Sequence, residues 1–109
     1  MMRMIKKISI IDLKILQIVK DAPKTINQII EELEKAGIKM PYSSLWKRIV
    51  RLRKLGLIRR GEIESRIEDV KHTIILYKLN TKYRKWVESM IDSINDVTSP
   101  DREYTEVME

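Results

Sequence analysis

A group of side chains between residues 43 and 55 has the types and the spacing needed to bind a polyanion. Its hydroxyl and cationic members recur every three or four residues: Ser44, Lys47, Arg48, Arg51 and Lys54. That spacing places them on one side of a helix. The sequence has no acidic residue between Lys35 and Gly61, whereas exposed helices usually mix both signs of charge. An outer face of positive charge alone predicts a negatively charged partner.

The other side of the same helix is apolar. Leu45, Ile49 and Leu52 follow the spacing of a core-facing stripe, and Gly56 is the type of residue that ends a helix. The pattern predicts a helix from about Ser43 to Leu55 that reads DNA. Its first turns, with Ser43, Ser44 and Lys47, would reach base edges, and Tyr42 lies in the turn before them. Further contacts, to phosphate, are expected from Arg48, Arg51 and Lys54.

The overall charge supports this interpretation. The 109 residues are 43% hydrophobic and 35% charged, with a net charge of +6, which predicts one domain with one core. The last thirteen residues have four acidic side chains and one basic one, a net charge of −3, so residues 1–96 carry +9. A basic body favours nucleic acid first and an anionic membrane second.

Several classes of function find no support in the sequence. No run approaches the roughly 20 apolar residues of a membrane span, and Asp12 and Lys14 interrupt Ile8–Val19 as a signal sequence. Without cysteine there is no disulfide framework or thiolate site, so a cytoplasmic protein is expected. A lone histidine, His72, predicts no metal site. Glu62 and Glu64 share a strand face without a nucleophile or base; no catalytic residue, enzymatic activity or cofactor is predicted.

The N-terminal part predicts a basic lead-in (residues 1–8) and two helices. Ser9 or Asp12 caps the first helix, which runs to about Lys20. On this helix Ile10 and Leu13 lie away from the main apolar face, and are covered either by another element of the chain or by a second subunit. A second helix begins after Thr25 and ends at Gly37. The short turn 39–42 then predicts a helix-turn-helix.

The part after Gly56 predicts a β-hairpin and a last helix. Residues 57–64 and 71–79 have the composition of β-strands. A hairpin that follows a recognition helix is called a wing. This wing has four candidate DNA contacts: Arg59, Arg60, Arg66 and Lys71. A helix from residue 81 to 96 follows, then an acidic flexible tail, 97–109. The apolar stripe of this last helix, together with Ile10 and Leu13 of the first helix, predicts a homodimer interface. The stripe consists of Tyr83, Trp86, Val87, Met90, Ile91 and Ile94.

The order of these elements resembles the winged helix-turn-helix transcriptional regulators. The matching segments are Asp12–Asp21, Thr25–Gly37, Ser43–Leu55, Gly56–Arg60 and Tyr77–Thr81. The similarity is greatest to small archaeal and archaeal-virus regulators related to the MarR, ArsR and PadR groups. The hairpin is long for that family, and no cysteine pair or histidine cluster matches its metal-sensing members.

The resemblance implies a mainly helical α+β fold, with a winged helix-turn-helix domain over residues 9–80. It also implies a homodimer that binds double-stranded DNA and regulates transcription, with the recognition helix in the major groove and the wing on the backbone or minor groove. Two alternatives stay open: a winged-helix protein–protein module of a replication or transcription assembly, and a sequence-independent chromatin or nucleic-acid binder. A small-molecule effector is left undetermined.

Overall fold

The computed structural model describes residues 8–98, and the side chains of residues 8–93. Within this part, four α-helices and one hairpin follow one another along the chain: α1 (Ile10–Asp21), α2 (Ile26–Lys35), α3 (Tyr42–Lys54), β1 (Ile58–Ile67), β2 (Val70–Leu79), a 3-10 turn (Thr81–Tyr83) and α4 (Arg84–Thr98). Most of the predicted lead-in and tail lies outside the described residues. Helix α4 ends two residues beyond the predicted boundary at residue 96.

The two predicted N-terminal caps are confirmed. The hydroxyl of Ser9 accepts from the backbone N–H of Asp12 at 3.1 Å, and the Asp12 carboxylate accepts from the Ser9 N–H at 3.2 Å. Thr25 and Gln28 form the same reciprocal pair at the start of α2, at 3.2 and 2.9 Å. Each pair satisfies N–H groups that have no partner inside a helix, and so sets where that helix begins.

Glycine ends both helices of the helix-turn-helix, as the sequence indicates. Gly37 has φ +84° and Gly56 has φ +81°, a left-handed conformation that other residues rarely adopt. Beyond each glycine the chain folds back: the Ile38 N–H donates to the Leu33 carbonyl at 2.9 Å, and the Leu57 N–H donates to that of Leu52 at 3.0 Å. Helix α3 therefore runs directly into β1.

The hairpin is longer than predicted. Its strands pair antiparallel from Ile58 opposite Leu79 to Ile67 opposite Val70. The turn takes only two residues, Glu68 and Asp69, with φ of 52° and 65°. Two consecutive positive φ values match the right-handed twist of the strands, so pairing continues to the turn. At its base, β2 also pairs with the chain before α2 through two backbone hydrogen bonds between Lys24 and Tyr77, of 2.9 and 2.8 Å.

One hydrophobic core joins the helices to the base of the hairpin. The stripe of α3 predicted from the sequence is fully buried in it: Leu45, Ile49 and Leu52. The inner face of α1, one face of α2, and Leu57, Ile58, Tyr77 and Leu79 of the hairpin complete it together with Val87 of α4. The outer half of the hairpin projects from this core.

For Leu13 the structure decides between the two kinds of cover that the sequence left open. Leu13 is buried in the core of its own chain, while Ile10 is 67% exposed. Helix α4 packs against α1 of the same chain, and an ion pair of 3.5 Å between Lys20 and Glu88 joins the two helices. Val87, another predicted interface residue, is likewise fully buried within the chain.

The remaining predicted interface residues of α4 differ in how far they are covered. Tyr83, Trp86, Met90 and Ile91 are half-buried and pack against the same core. The side chain of Ile94 lies outside the described residues. The fold thus uses part of the stripe that the sequence assigned to a second subunit.

Candidate nucleic-acid interface

The outermost ridge of α3 carries cations and a hydroxyl group. At 3.6 residues per turn, the positions opposite the buried stripe are Ser43, Lys47 and Lys54, and all three are exposed. Neither lysine has an acidic partner within the part of the chain that the structure describes. Two unneutralised ammonium groups and a hydroxyl group therefore project from this ridge. The lysines lie on the face predicted for them, but the hydroxyl residue among them is Ser43 rather than the predicted Ser44.

Arg48 and Arg51 lie on the flank of α3 that faces α1. Arg48 NH1 donates to Asp12 Oδ1 at 3.0 Å and to the Ser9 hydroxyl at 3.2 Å. Arg51 NH2 donates to Asp12 Oδ2. The expectation that both arginines project opposite the core is therefore corrected: they are half-buried, and a carboxylate from another helix engages them. Their contact with DNA stays a prediction.

Asp12 is the one charged residue among the buried residues of the described chain, with no exposed surface. Burying a carboxylate is costly unless it is paired and hydrogen-bonded. Two guanidinium groups and the Ser9 N–H supply those partners. This cluster ties the start of α1 to the middle of α3, and so fixes how α3 is presented on the surface.

The opposite flank of α3 is aromatic. Tyr42 is 56% exposed and Trp46 is 40% exposed. They line a cleft of about 320 Å³ between α3, the start of α2 and the base of the hairpin, which Arg60 and Tyr77 also line. Trp46 therefore keeps a large part of its surface in contact with solvent.

The hairpin cations are partly neutralised. Cross-strand partners share a face of a sheet, and successive residues alternate between faces. On the face that continues into the core, Arg60 pairs with Glu62 at 2.8 Å and Lys71 pairs with Glu64 at 2.9 Å. In the described chain Arg66 has no acidic partner. The positive charge predicted for this wing is therefore weaker than that of α3.

The junction between α3 and β1 adds one cation that sequence reasoning missed. Arg53 is exposed and lines a surface depression together with Lys54, Arg59 and Arg60. The sequence signal was present, because Arg53 lies in the stretch without acidic residues. Its position on the helix, nearer the apolar stripe than Lys54, kept it out of the predicted set.

The other face of the hairpin carries exposed aliphatic side chains in its outer half. Beyond Gly61, the register places two aliphatic pairs on this face, Ile63 opposite Ile74 and Ile67 opposite Val70. These four side chains are 40–59% exposed. None of these four side chains carries a charge, so this part of the wing differs in chemistry from the basic ridge of α3.

Two further features of the described residues bear on other functions. Residues 8–93 contain no group of three or more His, Cys, Asp or Glu side chains arranged to hold a metal ion. None of the described helices has the length and apolar character needed to cross a membrane.

Comparison with models of known protein families gave no match, and neither did comparison with curated protein sequences. A comparison with solved structures found a PadR-like transcription factor from Bacteroides fragilis. The similarity has a TM-score of 0.69 at 18% sequence identity, and covers 99% of this chain and 94% of the other. The chain has the winged-helix fold. In this winged-helix chain α2 and α3 form the helix-turn-helix, and β1 and β2 form the wing, as predicted from the sequence.

Proposed function

We propose that this winged-helix chain is a double-stranded DNA-binding regulator of transcription that acts as a homodimer. The observation that carries the proposal is the ridge of α3, where Lys47 and Lys54 project without an acidic partner in the described chain. Positive charge on the second helix of a helix-turn-helix favours placing that helix in the major groove. The role is non-enzymatic and cytoplasmic.

Within α3, position along the helix suggests a division of roles. Ser43, Ser44 and Lys47 lie in the first two turns, which reach base edges when the N-terminal part of a recognition helix enters the groove. Lys54 and Arg53 lie in the last turn, where phosphate is the expected partner. Because Asp12 engages Arg48 and Arg51, we assign them a smaller share of the binding than the sequence suggested.

The wing contributes through its sides rather than its tip. Glu68 and Asp69 form the turn, and two carboxylates at the tip would be repelled by phosphate. Arg59 and Arg60 at the base, and Arg66 and Lys71 further out, remain the proposed contacts to the backbone or minor groove. This arrangement leaves base reading to α3.

A two-fold dimer would present two copies of α3 about 34 Å apart, one helical turn of DNA. Support for a dimer comes from apolar surface that the chain leaves uncovered: Ile10 on α1 and the outer sides of Trp86, Met90 and Ile91 on α4. Such a dimer predicts an operator with an inverted repeat.

The proposal is tested by selecting bound fragments from random DNA and measuring affinity for the selected and random sequences at one stated salt concentration. We expect a specific affinity at least about 10³ times the non-specific one. The double variant Lys47→Ala/Lys54→Ala should lose most binding. Its matched control is Lys35→Ala/Lys85→Ala, which removes the same charge from α2 and α4. A ratio near one would instead support the sequence-independent binder.

The apolar face of the wing favours one alternative function, a protein–protein module. Ile63, Ile67, Val70 and Ile74 would suit an apolar partner surface rather than phosphate. If this is the function, no DNA sequence is enriched in the selection. The double variant Ile63→Ser/Ile74→Ser would then lose binding to the protein partner, whereas Lys47→Ala/Lys54→Ala would keep it.

A further inference from the structure

The cleft beside α3 has the size of a small-molecule site. Its volume of about 320 Å³ falls at the lower end of the range of roughly 300–1,000 Å³ that such sites occupy. The start of α2, the first turns of α3 and the base of the hairpin form its walls. Each wall offers a different kind of group to a ligand.

The wall from α2 offers backbone donors. The Gln28 N–H donates to the Thr25 hydroxyl at 3.2 Å, and the Ile29 N–H donates to the Thr25 carbonyl at 3.0 Å. Ile26 and Asn27 also line the cleft. Their backbone N–H groups have no acceptor in the described chain, as expected in the first turn of a helix. Open N–H groups and the positive end of the helix dipole favour an anion.

The hairpin supplies a cation beside these donors. Arg60 lines the cleft, and one of its nitrogens donates to Glu62 at 2.8 Å. A guanidinium group has five N–H donors in a planar fork, so this ion pair leaves further donors for a ligand. Arginine matches a phosphate or carboxylate group through two parallel hydrogen bonds.

Tyr77 gives an independent indication of a ligand. It is only 2% exposed, and its hydroxyl group has no hydrogen-bond partner among the described residues. No fully enclosed side-chain nitrogen or oxygen in that part of the chain lacks a partner, so the hydroxyl group is not enclosed. The small exposed part of Tyr77 therefore includes its hydroxyl group, and Tyr77 is one of the residues that line the cleft. A ligand in the cleft would supply a partner to this hydroxyl group, which no described residue engages.

The wall from α3 is flat and aromatic. Tyr42 and Trp46 are among the most exposed large apolar side chains of the described chain. Aromatic rings exposed beside a positive charge are typical of sites where nucleobases stack. A flat ring placed against them would cover apolar surface that the fold leaves in water.

We infer that the cleft binds a nucleotide. Its phosphate lies at the N–H groups of Ile26 and Asn27 and at Arg60, and its base lies against Trp46 and Tyr42. The Tyr77 hydroxyl donates to the sugar or the base. The nucleotide is either a free mononucleotide or one residue of a bound DNA strand. The inference does not rest on the proposed regulatory function, because the binding of a mononucleotide is measured without DNA.

Calorimetry on the full chain tests the site, with AMP as the probe. Adenosine and inorganic phosphate each carry only one of the two parts of AMP. Each should bind at least about tenfold more weakly than AMP, because linking the two parts raises the effective concentration of the second once the first is bound. Saturable AMP binding with this order of affinities supports the nucleotide site. Absence of saturable binding at millimolar AMP overturns it.

Variants show which groups bind the nucleotide. Arg60→Gln should weaken AMP binding about tenfold or more and leave adenosine binding unchanged, since it removes a charge-assisted contact to phosphate. Tyr77→Phe keeps the buried ring and removes one hydroxyl, so a loss of about three- to tenfold is expected. The control for Arg60→Gln is Lys78→Gln, which removes one positive charge from β2, on the face of the hairpin opposite to Arg60. Equal losses for Arg60→Gln and Lys78→Gln would mean a general charge effect and overturn the site.

Competition with a labelled DNA duplex then distinguishes the two sources. If AMP displaces the duplex, the cleft holds a nucleotide of the bound strand. If AMP binds without displacing it, the natural ligand is a free nucleotide; both results keep the nucleotide site. AMP binding by a chain that binds no duplex would count against the regulatory function alone.

Discussion

The Oδ1 atom of Asp12 lies 3.0 Å from the NH1 atom of Arg48, 36 residues further along the chain. This ion pair crosses from the first turn of α1 to the exposed helix of the helix-turn-helix. The carboxylate has no exposed surface, whereas 32% of the Arg48 side chain is exposed. The same carboxylate engages Arg51. It thus anchors α3 and lowers the net positive charge of this flank.

Replacing Asp12 should separate these two effects. We expect Asp12→Ala to lower the free energy of unfolding by about 1–3 kcal/mol, because buried hydrogen bonds and half of a helix cap are lost; the exposed parts of both arginines can be hydrated, which limits the cost. DNA affinity should rise and its salt dependence steepen, because two guanidinium groups become available to phosphate. Urea unfolding and binding at several salt concentrations measure both effects.

The control for this variant is Ser9→Ala. It removes the cap hydroxyl and leaves Asp12 in place, so about 1 kcal/mol of stability should be lost without a gain in DNA affinity. If Asp12→Ala weakens DNA binding while the protein stays folded, the carboxylate orients α3 for binding rather than competing with phosphate.

The ridge of α3 should show distinct effects at its two ends. Lys47→Ala should cost about 1–3 kcal/mol on the preferred site and less on random DNA, as expected for a contact to a base. Lys54→Ala should weaken all sequences alike and reduce the salt slope by roughly one unit. Measurements with both variants, both DNAs and several salt concentrations test this. Loss of binding in Arg66→Ala alone would make the wing the reader instead.

The glycine between α3 and the hairpin should be sensitive to substitution for a conformational reason alone. Gly56 has φ +81°, and a Cβ atom added there meets no atom within 4 Å. We therefore expect Gly56→Ala to lower the free energy of unfolding by about 1–2 kcal/mol through left-handed backbone strain. Gly61→Ala is the matched control, since Gly61 has equal space without that conformation; it should be neutral or slightly stabilising. Denaturant unfolding compares the two, and equal effects would contradict the strain argument.

The proposed dimer makes a prediction at Ile10. Because Ile10 is largely exposed in the single chain, Ile10→Glu should leave the folded protomer intact and give a monomer mass by light scattering after gel filtration. Val87→Glu serves as the contrast, because Val87 belongs to the core of its own chain and its replacement should unfold the protein. A monomer mass for the unaltered protein at micromolar concentration would rule out a stable dimer.

Local sequence was sufficient to predict most of the elements. Thr25 with Gln28, and Gly37 and Gly56, act on neighbouring backbone groups through hydrogen bonds and φ values that do not depend on distant residues. The periodic stripe of α3 and the absence of acidic residues around it are equally local. The positions of the helices, the start of the hairpin and the basic character of α3 therefore followed from the sequence.

Tertiary structure decided which side chains remain available to a partner. Leu13 is buried on a helix against which α4, about 70 residues later, packs, and the engagement of Arg48 depends on Asp12 in another helix. The cleft likewise brings Ile26, Trp46 and Tyr77 together from three separate elements. Periodicity specifies only the face of an element on which a residue lies. What covers that face is set by the packing of elements distant in sequence, and that packing brought Arg48 and Arg51 to a buried carboxylate.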